Sequence, residues 1–490
     1  MDPLNILFVS AEVAPFSKTG GLGDVSGALP RYLARRGHDV RVFTPLYSKI
    51  QTDGRDFQSV SFLKTLSVAL GGRRYRFRIF TAPLPKSDIR IYFVDCPALF
   101  HRPGIYTQNA DEPVRFALLT HAALLSAQSM GWAPDIAHAN DWHTALMPFY
   151  LKWVYAWDAI FRQTRSMLTI HNIAYQGVYP SRMLGDVTLA DRPELLYRED
   201  LEAGHFGFLK TGLLYADAIT TVSRTYAREI QSAEQGRGLD AVLRARTENV
   251  FGIVNGVDYE EWDPAHDRHI PHPYTADDLA AKKQNTEALC RGLGLSYDPR
   301  VPVLGIVSRL TAQKGVELLF ETIPQMLRWR DARLAVLGSG ESHYEEFFHR
   351  LQADYPGRVV FWRGYNEPLS HLIEAGADIF LMPSQFEPCG LNQMYSLRYG
   401  TPPVVRRTGG LADTVTLWNK ESGQGTGFLF DHFNAEAMRW ALTYAMDSFA
   451  DSAGWERLQK NGMSEDWSWE HQILEYERLY ARLAGRPASA

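Results

Sequence analysis

The chain has 490 residues, 45% of them hydrophobic and 22% charged, so it carries enough apolar side chain to build a core and is not mainly disordered. Its formal charge of −5 gives no bulk attraction to nucleic acid or to an anionic membrane, and neither is expected as a partner. Three dispersed cysteines, Cys96, Cys290 and Cys389, make no C-x-x-C pair or disulfide framework and favour a reducing compartment. The chain opens on no basic, apolar leader, and no run approaches the roughly 18–20 apolar residues of a membrane span. A soluble, cytoplasmic protein is the expectation, with an oligomeric state that composition does not address.

Short runs of branched and aromatic residues alternate with longer amphipathic segments, the mark of parallel sheets covered by helices. Residues 6–10 read as a buried strand, followed by a glycine-rich loop, a helix over 22–36 and a strand over 40–45. From 57 to 96 the pattern changes to consecutive strands with turn residues, an antiparallel excursion. Buried strands follow at 136–139, 167–171, 218–222 and 251–254. After a polar stretch over 258–300, a second series begins with strands at 301–308, 334–337, 359–362, 379–382 and 403–406. Its helices are expected at 315–328, 343–354 and 391–399, and another amphipathic helix closes the chain. The expected architecture is α/β: two doubly wound, Rossmann-like domains facing across a deep cleft. The N-terminal domain spans 1–255, the C-terminal domain 256–464, and residues 465–490 return to the first domain. The hexapeptides T-G-G-L-G-D (19–24) and T-G-G-L-A-D (408–413) echo one another, one in each half.

Several polar motifs fall where strands end. K-T-G-G-L-G-D-V (18–25) opens the first helix and is either a tight turn or an anion-binding loop, its glycines admitting a phosphate and Lys18 adding charge. It is neither a Walker A loop nor a dinucleotide fingerprint. S-R-L-T-A-Q-K-G (308–315) stands in the corresponding place of the second half; Arg309 and Lys314 could converge there on a pyrophosphate, or be solvated surface cations. In E-P-C-G-L-N-Q-M-Y (387–395), Glu387 suits sugar hydroxyls, and the backbone N–H groups of Cys389, Gly390 and Leu391 could face a ligand; helix capping by Glu387 is the alternative. Cys389 lacks an adjacent base and reads as an inert thiol. H-A-N-D-W-H (138–143) lacks the spacing of a helical metal motif and reads as a polar edge. His171, in H-N-I-A-Y-Q-G, points into the same cleft or is a core histidine, and Asn255 ends another strand.

These motifs, with V-N-G-V-D (254–258), P-S-Q-F-E-P-C-G-L-N-Q-M-Y (383–395) and T-G-G-L-A-D-T-V (408–415), make the chain resemble the bacterial glycogen synthases and plant starch synthases over nearly its whole length. The resemblance implies a two-domain glycosyltransferase-B fold. It implies transfer of glucose from ADP-glucose to the non-reducing 4-OH of an α-1,4-glucan, with retention and with no metal or cofactor. It assigns Lys18, Gly20 and Gly21 to the donor phosphates, Arg309 and Lys314 to the departing ADP, and Glu387 to the glucose, with Asp24 in the substrate-binding set. His171, through its backbone carbonyl, and Asp141 line the sugar pocket, Asn255 contacts sugar or phosphate, and Tyr106 borders the donor. Cys389, Gly390, Leu391, Thr408 and Gly409 complete the binding set. The wider retaining superfamily has a second Glu where this chain has Tyr395, as the starch and glycogen synthases do, and Tyr395 is expected beside adenosine. The short approach to the first strand favours the bacterial type. A catalytically dead glucan scaffold would have lost the charges of Lys18, Arg309, Lys314 and Glu387. A dehydrogenase would need a dinucleotide fingerprint, and a phosphorylase a far longer chain with pyridoxal phosphate.

Overall fold

The computed structural model describes residues 2–52, 56–63 and 66–487. They form two compact units: the first holds residues up to Val222, Ala227–Ile253 and those from Gln472 onward, the second Ser223–Tyr226 and Val254–His471. Among the described residues no helix is long and apolar enough to cross a membrane.

The first unit is built on one twisted sheet. Its strands are β1 (Asn5–Val9), β2 (Asp39–Pro45), β3 (Gln58–Ser59), β4 (Leu66–Leu70), β5 (Arg73–Pro83), β6 (Arg90–Asp95), β7 (Ile136–Asn140), β8 (Arg165–Ile170), and, after the hairpin strands β9 (Val178–Pro180) and β10 (His205–Gly207), β11 (Ala218–Thr221) and β12 (Val250–Gly252). The spatial order is β12-β11-β8-β7-β1-β2-β6-β5-β3, with β4 paired to β5. From β12 to β6 all pairs are parallel; β5 joins β6, β3 and β4 antiparallel, which is the excursion read from the turn residues. Ile6 to Val9 are fully buried, as a continuous apolar run between two helical layers must be.

The second unit has the strand order β15-β14-β13-β16-β17-β18, all parallel. Here β13 is Val303–Leu310, β14 Arg333–Gly340, β15 Val359–Arg363, β16 Ile379–Met382, β17 Pro403–Arg406 and β18 Phe428–Phe430. Alternation along each strand separates two cores. Leu304, Ile306, Leu334, Val336, Ile379 and Leu381 pack with the helices Val316–Trp329 and Ala435–Phe449 on one face. Val303, Ala335, Leu337, Phe380, Met382 and Val405 pack with Leu369 and Ile373 of the helix Glu367–Gly376 on the other.

Several elements escape the pattern reading, among them the helices Ala280–Leu293, inside the stretch read as polar, Glu367–Gly376, Ala435–Phe449 and Ser452–Ser464. The helix Glu112–Ser129 is buried nearly all round, so no apolar stripe marks it. Strand β18 is too short to show a period.

The closing helix, Trp469–Ala484, contributes to the first unit from Gln472 onward. Tyr480 Oη lies 2.7 Å from His138 Nδ1, whose Nε2 meets Thr169 Oγ1 at 2.6 Å, so His138 is a satisfied core histidine. Glu477, 2% exposed, receives both Arg36 Nε at 3.0 Å and an Arg36 terminal nitrogen at 3.1 Å. Leu4 N donates to His38 Nδ1, so His38 Nε2 carries the proton and donates to Glu477 at 3.2 Å. Burial holds the His38 imidazole below its ordinary pKa despite the carboxylate beside it. Glu477→Ala strands a buried imidazole N–H and is expected to cost about 1–3 kcal/mol in urea unfolding, with little change in the slope.

Candidate active site

In each unit the first strand is central and the chain reverses direction about it. In the first, the order runs outward β1-β2-β6 and then resumes at β7 on the other side; in the second, β13-β14-β15 is followed by β16 on the other side of β13. Loops leaving β1 and β7, or β13 and β16, therefore part to opposite faces and leave a crevice at the strands' carboxyl ends, where ligands of open α/β sheets bind. The second unit has the 3-2-1-4-5-6 order of dinucleotide-binding folds. The predicted residues fall at these points, in two groups.

The first group follows β1, β7 and β8. Buried Glu12 organises it: Thr19 N donates to Oε2 at 2.5 Å, Thr19 Oγ1 to Oε1 at 2.6 Å, and the Tyr106 hydroxyl to Oε1. Lys18 Nζ pairs with Asp24 at 2.6 Å, and burial nevertheless raises the Asp24 pKa. Gly20 caps the helix Gly21–Arg35 in an extended conformation. Asp141 stands in the left-handed region at φ 54°, unusual for a residue with a side chain. That bend turns its carboxylate onto His171 N at 2.7 Å and Asn172 N at 3.3 Å, tying the end of β7 to the end of β8. Burial pushes Asp141 up to about 7 against those two donors. His171 Nε2 meets Asn140 Oδ1 at 3.0 Å, and burial pulls the imidazole down to about 3, so it is neutral. His143, also held neutral by burial, stacks on Tyr106 with centroids 4.8 Å apart.

The second group follows β13, β16 and β17. Lys314 Nζ reaches Glu387 Oε2 at 2.5 Å, and Ser384 Oγ donates to the same oxygen at 3.0 Å. Glu387 is thus held by side chains and does not cap a helix. Arg309 is exposed at the end of β13. Gly315 has φ 67°, and a Cβ there would overlap the Pro383 carbonyl oxygen, so the loops after β13 and β16 can close only over glycine. Burial pushes the Cys389 thiol up to about 12, which suits an inert cysteine. Gly390 has φ 75°, and Leu391 stands before the helix Asn392–Arg398. Asn255 Oδ1 is buried with no hydrogen-bond partner among the described residues. Thr408 is fully buried ahead of the helix Gly409–Thr414. Tyr395 does not stand open: its ring stacks on Trp262 at 3.9 Å with parallel planes, and Trp262 stacks in turn on His371 at 3.7 Å.

Three features were missed in sequence. Glu12 lies in an unremarkable loop before the glycine motif. Residues Ser223–Tyr226 belong with the second unit, where Ser223 Oγ donates to Pro388 O at 2.6 Å and Thr225 N and Oγ1 donate to Asp413 at 2.8 and 2.6 Å. Tyr365, 75% exposed on the loop after β15, carries an aromatic ring at the carboxyl end of the sheet; the signal available was G-Y-N after a buried strand.

The two T-G-G-L-x-D copies do different jobs. A Cβ on Gly409 or Gly410 would overlap the carbonyl oxygens of Glu387 and Cys389, so these glycines are dictated by packing. A Cβ on Gly20 or Gly21 meets nothing within 4 Å, so nothing inside the unit demands glycine there, and the room fits a ligand.

Two α/β units with cationic and carboxylate side chains at their switch points suit anionic, hydroxyl-bearing ligands, and the family models that match are those of glycosyltransferases. The family model described as starch synthase catalytic domain matches residues 5–245, and that of glycosyl transferases group 1 matches 297–461. The chain is 45% identical to a glycogen synthase of Anaeromyxobacter dehalogenans over 98% of its own length and 99% of that protein's. It is 43% identical to one of Koribacter versatilis over 98% of both. The solved catalytic domain of starch synthase IV from Arabidopsis thaliana, bound to ADP and acarbose, is 33% identical and superposes with a TM-score of 0.90 over 99% of this chain and all of that one. Sucrose-phosphate synthase from Thermosynechococcus elongatus, at 18% identity and a TM-score of 0.60, shares the fold. The chain belongs to the glycogen synthase and starch synthase family, with the glycosyltransferase-B fold.

Two predictions follow from this geometry. Gly20→Ala is expected to leave urea-unfolding stability within about 0.5 kcal/mol of the parent, whereas Gly410→Ala is expected to cost more than about 2 kcal/mol. The second concerns pH. Burial holds His38, His121, His138, His143 and His171 below the ordinary imidazole value, so below about pH 6.5 the unfolded chain binds more protons than the folded one. Stability must therefore fall with pH, by up to about 1.4 kcal/mol per group per unit. Asp141, held near 7, and Asp378, held near 6, act oppositely, as do Asp24, Glu374 and Glu465, whose carboxyls burial also raises, and together they offset part of the histidine effect. A thermal midpoint that drops between pH 6.5 and 5 is the expected result, and imidazole NMR signals that titrate above pH 6 in the folded chain contradict the buried neutral histidines.

Proposed function

We propose that the chain moves glucose from ADP-glucose to the non-reducing 4-OH of an α-1,4-glucan, retaining the anomeric configuration and releasing ADP. The observation that carries this reading is the Lys314–Glu387 pair at the switch point of the second unit. A relative solved with ADP and acarbose, one nucleotide and one oligosaccharide mimic, supports both partners. Arg309 and Lys314 neutralise the diphosphate as the C1–O bond breaks, which is where negative charge grows. Glu387, oriented by Ser384 and Lys314, accepts hydrogen bonds from the donor glucose. In the first unit, Lys18 and the open N–H groups at Gly20 and Gly21 bind phosphate, assisted by the helix N-terminus. Asp141 fixes the His171 peptide through its N–H, so that the carbonyl of His171 faces positive charge developing at C1. The acceptor 4-OH attacks C1 from the side the phosphate leaves, and its proton passes to the departing phosphate oxygen. Leaving-group charge is met by these side chains, and the reaction as proposed uses no metal or other cofactor. Tyr365 offers the adenine a stacking face, and Tyr395 supports that edge through Trp262. A cytoplasmic location fits the three free, buried cysteines.

The test is incorporation of labelled glucose into glycogen from ADP-glucose and UDP-glucose in parallel. Transfer from ADP-glucose that falls at least about 100-fold in Glu387→Ala is expected. Preference for UDP-glucose would overturn the nucleotide assignment, and glycogen binding without transfer would overturn the enzymatic one.

A further inference from the structure

We propose that His269, Glu367 and His371 of the second unit bind one divalent transition-metal ion of the zinc type. Glu367 and His371 are i, i+4 neighbours on the helix Glu367–Gly376 and so share a face. One ligand atom from each, with one from His269, lies within 4.8 Å of the others, the one such trio of acidic, histidine or cysteine side chains among the described residues.

The second observation is at His371. Its side chain is fully buried, its Nδ1 lies 2.8 Å from Asp267 Oδ2, and its Nε2 has no hydrogen-bond partner among the described residues. With the carboxylate on Nδ1, the proton resides there and Nε2 presents a buried lone pair. An orphaned buried acceptor is costly unless something fills it. Carboxylate on one imidazole nitrogen and metal on the other is the recurrent arrangement of metal-ligating histidine. Asp267 is itself fixed, by the Tyr399 hydroxyl at 2.5 Å and by His269 N at 2.8 Å, and Trp262 stacked on His371 holds the ring's plane.

Two imidazoles and one carboxylate suit zinc, nickel or cobalt over magnesium or calcium. Metal–ligand bonds of about 2.0–2.1 Å in a tetrahedron set ligand atoms about 3.4 Å apart, so closing on an ion needs a contraction of up to about 1.4 Å. His269 and Glu367, only partly buried, can supply it. Arg268 Nε, on an exposed side chain, donates to His269 Nε2 at 3.3 Å, a long bond that coordination can displace. Water takes the fourth position. Such an ion would clip the irregular segment around His269 to the helix after β15. This proposal stands independently of the sugar-transfer reading.

The experiment is equilibrium dialysis of the chelator-stripped full chain against zinc chloride, with cobalt(II) absorption reporting geometry and thermal unfolding reporting linkage. Expected are one zinc per chain, intense tetrahedral cobalt bands, and a thermal midpoint raised by zinc. His269→Ala and Glu367→Gln, both at partly exposed positions, are each expected to weaken zinc at least tenfold and to abolish the midpoint shift while keeping the parent circular dichroism. No stoichiometric uptake by the parent, or equal uptake by parent and both variants, overturns the site.

Discussion

Parallel pairing on both sides of one central strand is the constraint from which the rest of each unit follows. β1 and β13 are hydrogen-bonded to parallel neighbours on either side, so every connection must cross back over a face of the sheet. Helices then cover both faces, the strands become largely apolar, and side chains free to meet a ligand gather where strands end. At the carboxyl ends the loops on either side of the central strand diverge, and the backbone there is free to present side chains. Lys18, Asp141, Lys314 and Glu387 all stand at such points, whereas a polar group within a strand, such as His138, needs buried partners of its own.

The same constraint explains why the candidate residues come in oriented pairs. A carboxylate near a low-dielectric core is stable only when its oxygens are occupied. Glu12 is held by Thr19 and Tyr106, Asp141 by two backbone N–H groups, Asp24 by Lys18, and Glu387 by Lys314 and Ser384. Each set also fixes a direction, which is what a transferase needs: donors and acceptors already aimed when charge develops, with no reorganisation left for the moment of reaction.

The repeated hexapeptide shows how little local sequence says about local purpose. In the second half its glycines let one loop lie against the carbonyl oxygens of Glu387 and Cys389, bracing the segment that carries the carboxylate. In the first half the same glycines face open space. Its two aspartates differ likewise: Asp24 pairs with Lys18, just upstream in the same motif, while Asp413 accepts from Thr225, distant in sequence. Identical residues serve packing in one unit and access in the other because their neighbours are supplied by different parts of the chain.

Sequence by itself determined the alternation of strand and helix, the antiparallel excursion, and the strand-end placement of every motif, because burial on both faces and turn chemistry leave local signatures. It also carried the family resemblance, through motifs long enough to be specific. It did not reveal the helix Glu112–Ser129, whose all-round burial erases periodicity, strand β18, too short to have a period, or the helices Ala280–Leu293, Glu367–Gly376, Ala435–Phe449 and Ser452–Ser464. Only the tertiary structure decided that Glu12 organises the first loop, that Ser223–Tyr226 belong with the second unit, and that Tyr395 is stacked on Trp262. Those are contacts between residues tens to more than a hundred positions apart or inside irregular loops, and no periodicity records a partner that only the folded chain brings near.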